Sequence, residues 1–198
     1  MLSRATSAGI GLGLAVLAWA APAAVAGDLF DPATGYRIDR YRAPVDRPAE
    51  GGAAVGLAEL DRLIKERDAA LIDVMPARAG YDPETGVWRL VDRRDNIPGS
   101  VWLPEVGRGA PEPRIAAYFE RALARLTAGR PDRPLVFYCM TDCWMSWNAV
   151  RRAARLGHTA VYWYADGSDG WFDAGRELVR AEPWPVPPPA PAPESAAP

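Results

Sequence analysis

The chain has 198 residues, 23 Lys and Arg against 25 Asp and Glu, and a formal net charge of −2. That balance leaves no basic footprint for nucleic acid. With 49% hydrophobic residues, one packed domain with a real core is within reach, whereas a disordered or disulfide-scaffold class is not.

Residues 1–26 read as an export signal: one charge (Arg4), an apolar run from Ile10 to Ala21, and the closing Ala24-Val25-Ala26. The run is short and rich in small residues, so cleavage after Ala26 is expected, with no stable membrane anchor afterwards. The mature chain would then lie in the periplasm, and losing Arg4 would move the net charge from −2 to −3. There a lone pair of neighbouring cysteines tends towards a disulfide unless something reduces it.

Residues 27–56, rich in Pro, Gly, Arg and Asp, have no sustained period and read as an N-terminal arm wrapped on the domain rather than a domain of its own. Leu57, Leu60, Leu63 and Ile64 recur at helical spacing, which predicts a helix over 57–67. The apolar run 70–74 reads as a buried strand, and 100–103 as a second. A helix opens at Pro113, carries a stripe through Ile115, Tyr118, Phe119, Ala122, Leu123 and Leu126, and ends at Gly129. Residues 135–138 (LVFY) give the strongest strand signal, helical pattern resumes near Ser146, and 161–164 (VYWY) form another strand. A turn at 166–170 and a short helix around Trp171 follow. Strands alternating with helices predict an α/β fold with a parallel sheet flanked by helices, one domain over 57–180. From residue 181 the chain is mostly Pro and Ala, and an extended, disordered tail over 181–198 is expected.

The chemistry is expected where the strongest strand ends. Cys139 falls at the carboxyl end of that strand, the edge where ligands collect in parallel sheets. A loop of inward N–H groups and a helix N-terminus would favour its thiolate, making Cys139 the more reactive thiol. Cys143, four residues on, lies within disulfide reach and could resolve a mixed disulfide or persulfide. Met140, Thr141, Asp142, Trp144, Met145 and Ser146 complete the expected loop and substrate surface. His158, the one histidine, falls at the far end of the following helix and is not expected to act as a base. No cofactor is expected. Three chemistries stay open: thiol exchange or sulfur transfer; a docking surface anchored by Trp144 and Trp147; and Cu(I) held by the two thiolates with Met140 and Met145 nearby. Zinc would need two more ligands, and none stands out.

Four segments, Leu71-Ile72-Asp73-Val74, Asn96-Ile97-Pro98-Gly99-Ser100, Leu135 to Cys139, and Val161 to Tyr164 with Asp166-Gly167 and Trp171, resemble in order the rhodanese domain. The resemblance implies that Cys139 carries a persulfide in sulfur transfer. A subgroup of that family, linked to pyrroloquinoline quinone (PQQ)-dependent catabolism and named for its Cys-Trp (CXXCW) motif, is more similar still. Its likeness rests on Gly35-Tyr36-Arg37, Tyr41-Arg42-Ala43-Pro44-Val45, Ser100-Val101-Trp102-Leu103-Pro104, Asp142 to Asn148, and Asp166 to Trp171. That resemblance implies a periplasmic accessory role beside a quinoprotein dehydrogenase or its cytochrome c. The sequence departs from typical sulfurtransferases in placing Trp144 and Met145 where the family holds an Arg, and in a loop one residue longer. The long segment 78–95 is placed to cover the loop.

Overall fold

The computed structural model describes residues 29–187, so the segment expected to be an export signal and the last residues of the tail lie outside the described residues. Four helices are described: α1 (Leu57–Arg67), α2 (Pro113–Thr127), α3 (Trp144–Arg155) and α4 (Gly167–Asp173). The central sheet holds β1 (Ala53–Ala54), β2 (Ala70–Asp73), β4 (Val101–Trp102), β5 (Leu135–Tyr138) and β6 (Val161–Trp163), in the order β1-β6-β5-β2-β4. Every pairing in it is parallel, as the alternation of strands and helices predicts. A separate antiparallel pair joins β3 (Asp95–Asn96) to β7 (Val179–Arg180).

Period-two alternation divides the core. Leu135, Phe137 and Cys139 face the larger core with α2 and α3, while Val136 and Tyr138 face the smaller one with Leu60 and Leu63 of α1. The cysteine that ends β5 therefore points to the side on which α3 begins.

The arm lies on the domain and also adds an edge strand that its composition does not announce: Ala53 and Ala54 pair with Tyr162 and Trp163. Its Arg37 is pinned by Asn148, whose Oδ1 accepts the Arg37 N–H at 3.0 Å while Nδ2 donates to the Arg37 carbonyl at 2.8 Å. The expectation of a disordered tail from residue 181 fails as far as Pro187. Val186 is fully buried, and the Trp184 carbonyl accepts both the Trp88 indole N–H and the Tyr118 hydroxyl at 2.8 Å. Proline-rich composition barred helix and central strand, but did not bar two large apolar side chains from packing.

Candidate functional site

The loop after β5 turns through Asp142, which adopts a left-handed conformation (φ 57°). Helix α3 starts at Trp144, two residues before the expected Ser146, with Cys143 as its N-cap residue. The turn brings Cys143 back over Cys139. Their Cα atoms stand 6.2 Å apart and the two sulfurs are joined as a disulfide, within the span such bonds need. Cys139 is fully buried, and Cys143 retains 6% exposure.

Three elements hold the loop. The arm runs antiparallel to it: Arg42 pairs with Cys143, the Trp144 N–H donates to the Tyr41 carbonyl (2.8 Å), and the Ala43 N–H to the Asp142 carbonyl (3.0 Å). From α4, the Ser168 N–H and hydroxyl both donate to the Cys139 carbonyl at 3.1 Å. The Thr141 N–H donates to Asp169 Oδ2 at 3.3 Å, and that carboxylate also faces the Arg42 guanidinium at 3.9 Å. A protein carboxylate thus takes up one of the loop amides that an anionic substrate would otherwise find.

The third element is a buried ion pair. Asp73, at the end of β2, is fully buried and accepts Arg94 Nε at 2.7 Å and the Met75 N–H at 2.9 Å. Burial pushes its carboxyl above the ordinary range, against the pull of Arg94 and the Met75 amide. Arg94 Nη2 reaches on to the Cys139 carbonyl at 3.1 Å and the Ser168 hydroxyl at 3.2 Å. Segment 78–95 does reach the loop, through Arg94, and the tail fixes Arg94 in turn by the Ala181 N–H on its carbonyl.

The expected site residues divide in two. Met140 and Thr141 are half-buried and Asp142 is exposed, so these form the outer face of the loop. Trp144, Met145 and Ser146 are buried and present no surface to a substrate. Trp144 packs edge-on against Phe30 and Trp147 beneath the Arg37 guanidinium, so these tryptophans are core, covered by the arm, rather than exposed anchors. Ser146 bridges the Cys143 carbonyl and the Trp163 indole at 3.0 Å each, a structural role. His158 lies beyond α3, away from the loop, and partial burial lowers its pKa. Sequence reasoning passed over Met75, whose sulfur lies 3.5 Å from that of Cys139. It also passed over Arg94; one Arg among several in a loop carries no periodic or motif signal.

Two outcomes test this geometry. The disulfide closes so small a loop that reducing it should cost at most about 2 kcal/mol in urea unfolding; a larger loss would make it a structural staple. Gly167 (φ 60°) lies against the loop, and a Cβ there would stand 2.7 Å from the Met140 Cα. Gly167→Ala should destabilise by about 1–3 kcal/mol and speed reduction of the disulfide by dithiothreitol.

A parallel sheet with a cysteine loop at the carboxyl end of its central strand, closing onto a helix N-terminus, defines a thiol site of the sulfurtransferase architecture. The sequence profile described as "Rhodanese-like domain" matches residues 56–174. The chain belongs to the rhodanese-like domain family. Among solved structures, it is similar to the human single-domain sulfurtransferase TSTD1, at 25% identity over 62% of this chain and 96% of that one (TM-score 0.41). It is also similar to the polysulfide-sulfur transferase homodimer of Wolinella succinogenes, at 16% identity over 66% and 80% of the two chains (TM-score 0.43). A third is the thiosulfate sulfurtransferase of Pseudomonas aeruginosa, at 18% identity over 67% of this chain and 21% of that one (TM-score 0.43). No curated protein matches the chain. The family supports thiol and sulfur chemistry in general.

Proposed function

We propose that the protein works by thiol–disulfide exchange at Cys139 and Cys143, in the periplasm, as an accessory of PQQ-dependent alcohol catabolism. The observation that carries the chemistry is the Cys139–Cys143 disulfide itself, placed at the carboxyl end of β5 with one sulfur at the N-terminus of α3. The compartment rests on the export pattern of residues 1–26, and the catabolic role on the Cys-Trp motif resemblance. A quinoprotein dehydrogenase or its cytochrome c is the partner this reading favours.

In the oxidised protein an incoming thiolate meets Cys143 first, since Cys139 has no exposure. It attacks the Cys143 sulfur, forms a mixed disulfide there, and expels Cys139 as a thiolate. A second thiol of the partner then attacks its own sulfur in that bond, leaving the partner as a disulfide and this pair as dithiol. The Arg94 guanidinium on the Cys139 carbonyl puts a positive charge on the backbone of the residue that carries the leaving sulfur. This reverses the roles expected from sequence for the oxidising direction, with Cys143 attacked and Cys139 leaving.

Sulfur transfer is the second reading, supported by the family, and it requires a reduced Cys139 to take up a persulfide. Thiosulfate fits poorly as donor, because Asp169 already occupies the Thr141 amide. A docking role through Trp144 and Trp147 is disfavoured by their burial.

Exchange predicts a trapped intermediate. Cys139→Ser recovered from the periplasm under acid quench should carry a partner on Cys143, seen as a band of higher mass that dithiothreitol removes. Cys143→Ser should carry less. An absence of adducts in both variants would count against exchange.

A further inference from the structure

We propose that Cys139, Cys143 and Met75 form a three-sulfur site for Cu(I) once the disulfide is reduced. Met75 follows β2, Cys139 ends its neighbour β5, and the parallel pairing of those strands sets the thioether 3.5 Å from the Cys139 sulfur. Two sulfurs bound to one ion through bonds of about 2.3 Å, the length thiolate makes to zinc, stand no more than about 4.6 Å apart. Met75 and Cys139 already meet that condition. Cys143, bonded to Cys139 in the oxidised state, needs only the release of that bond to become the third donor.

The donor set chooses the ion. Among the described residues no cluster of three or more His, Cys, Asp or Glu side chains gathers, so zinc and harder ions lack a ligand set. Two thiolates and a thioether are soft, and soft sulfur ligands select Cu(I). The complex would carry one net negative charge. Arg94 on the Cys139 carbonyl and the N-terminus of α3 at Cys143 both stand where they favour it.

There is also a way in. Met75 is half-buried and forms part of the wall of a cavity of about 320 Å³ together with Leu90, Arg94 and Trp102. Met75 thus borders that cavity while its sulfur meets the buried cysteine. An incoming Cu(I) can be taken first by Met75 and then passed to the thiolates. The methionines expected from sequence are less suited, since Met145 is buried in the core and Met140 sits on the outer face of the loop.

The chemistry balances with a phosphine as reductant. The phosphine takes the oxygen of one water and becomes its oxide; its two electrons cleave the disulfide, and the two protons of that water end on the thiols. Cu(I) then displaces both protons and keeps its oxidation state. This site does not depend on disulfide exchange with a partner, and its test uses none.

The experiment is an anaerobic titration of the mature protein with Cu(I) held by the coloured chelator bicinchoninate. Protein reduced with tris(2-carboxyethyl)phosphine, then freed of it, should withdraw one equivalent of copper; the disulfide form should withdraw none. Met75→Leu keeps the size and removes the sulfur. It should bind at least roughly tenfold more weakly, since even outer partners of a metal are worth that much. Its copper X-ray absorption should show two sulfurs where the wild type shows three. Met140→Leu should match the wild type in both. Thermal unfolding and re-formation of the disulfide establish that each variant is folded. Failure of the reduced wild type to compete for copper would overturn the proposal. So would a folded Met75→Leu with wild-type affinity and sulfur number.

Discussion

Arg94→Ala should destabilise the protein by about 3–5 kcal/mol, the loss seen when one partner of a buried ion pair is removed. Asp73 is fully buried, and among the described residues Arg94 supplies its one cationic partner, at 2.7 Å. Without the guanidinium, the carboxylate keeps only the Met75 N–H, and the Cys139 carbonyl and Ser168 hydroxyl lose a donor. The pH dependence has a definite sign. Burial already holds the Asp73 carboxyl above its unfolded value, and removing Arg94 raises it further. A group raised in this way binds its proton more tightly in the folded state. Its contribution is therefore present in full below the unfolded value of about 4 and is lost as pH rises through the folded one. Stability of Arg94→Ala should accordingly fall from about pH 4 upwards, more steeply than that of the wild type. Adding Asp73→Asn should remove that slope. Urea unfolding across pH measures all three proteins, and a loss under about 1 kcal/mol would mean the pair behaves like a surface one.

Cys139→Ser should impair growth on an alcohol oxidised by a PQQ-dependent dehydrogenase as severely as deletion of the gene. Serine fills the space of the buried thiol, yet it forms neither a disulfide nor a persulfide. Loss of the disulfide is expected to cost the fold at most about 2 kcal/mol, so the phenotype should report chemistry rather than abundance, and immunoblotting of the periplasm checks that directly. The same variant also lacks a copper ligand. Met75→Leu separates the two roles, because it leaves the disulfide pair intact. Wild-type growth of Cys139→Ser at normal abundance would end both thiol readings.

The sheet was legible because its signals are local. The apolar runs at β2, β5 and β6 and the leucine spacing of α1 need no knowledge of the rest of the chain. Cys139 was legible for the same reason, as the residue that ends the strongest run. Helix α3 was placed too late because its N-cap is Cys143, which makes no side-chain capping bond, and because its first residues are large and apolar rather than capping types. The anchoring points of arm and tail are not legible in the sequence, since they are backbone pairings with distant residues, such as Arg42 with Cys143 and Trp102 with Pro183. Met75 and Arg94 escaped notice because each becomes meaningful only when β2 and β5 lie side by side.

The stretch of arm that lies along the cysteine loop also orders events in time. Tyr41 to Ala43 are made early in synthesis, while the loop and α3 on which they rest come much later, so this contact closes a long stretch of chain. Contacts of such wide separation form late in folding, after local helices and adjacent strands. Until the arm docks, Cys143 lacks the cover that its pairing with Arg42 provides. Pairing of Cys139 with Cys143 should therefore precede docking of the arm, and a chain whose arm is slow to dock would be oxidised first and covered afterwards.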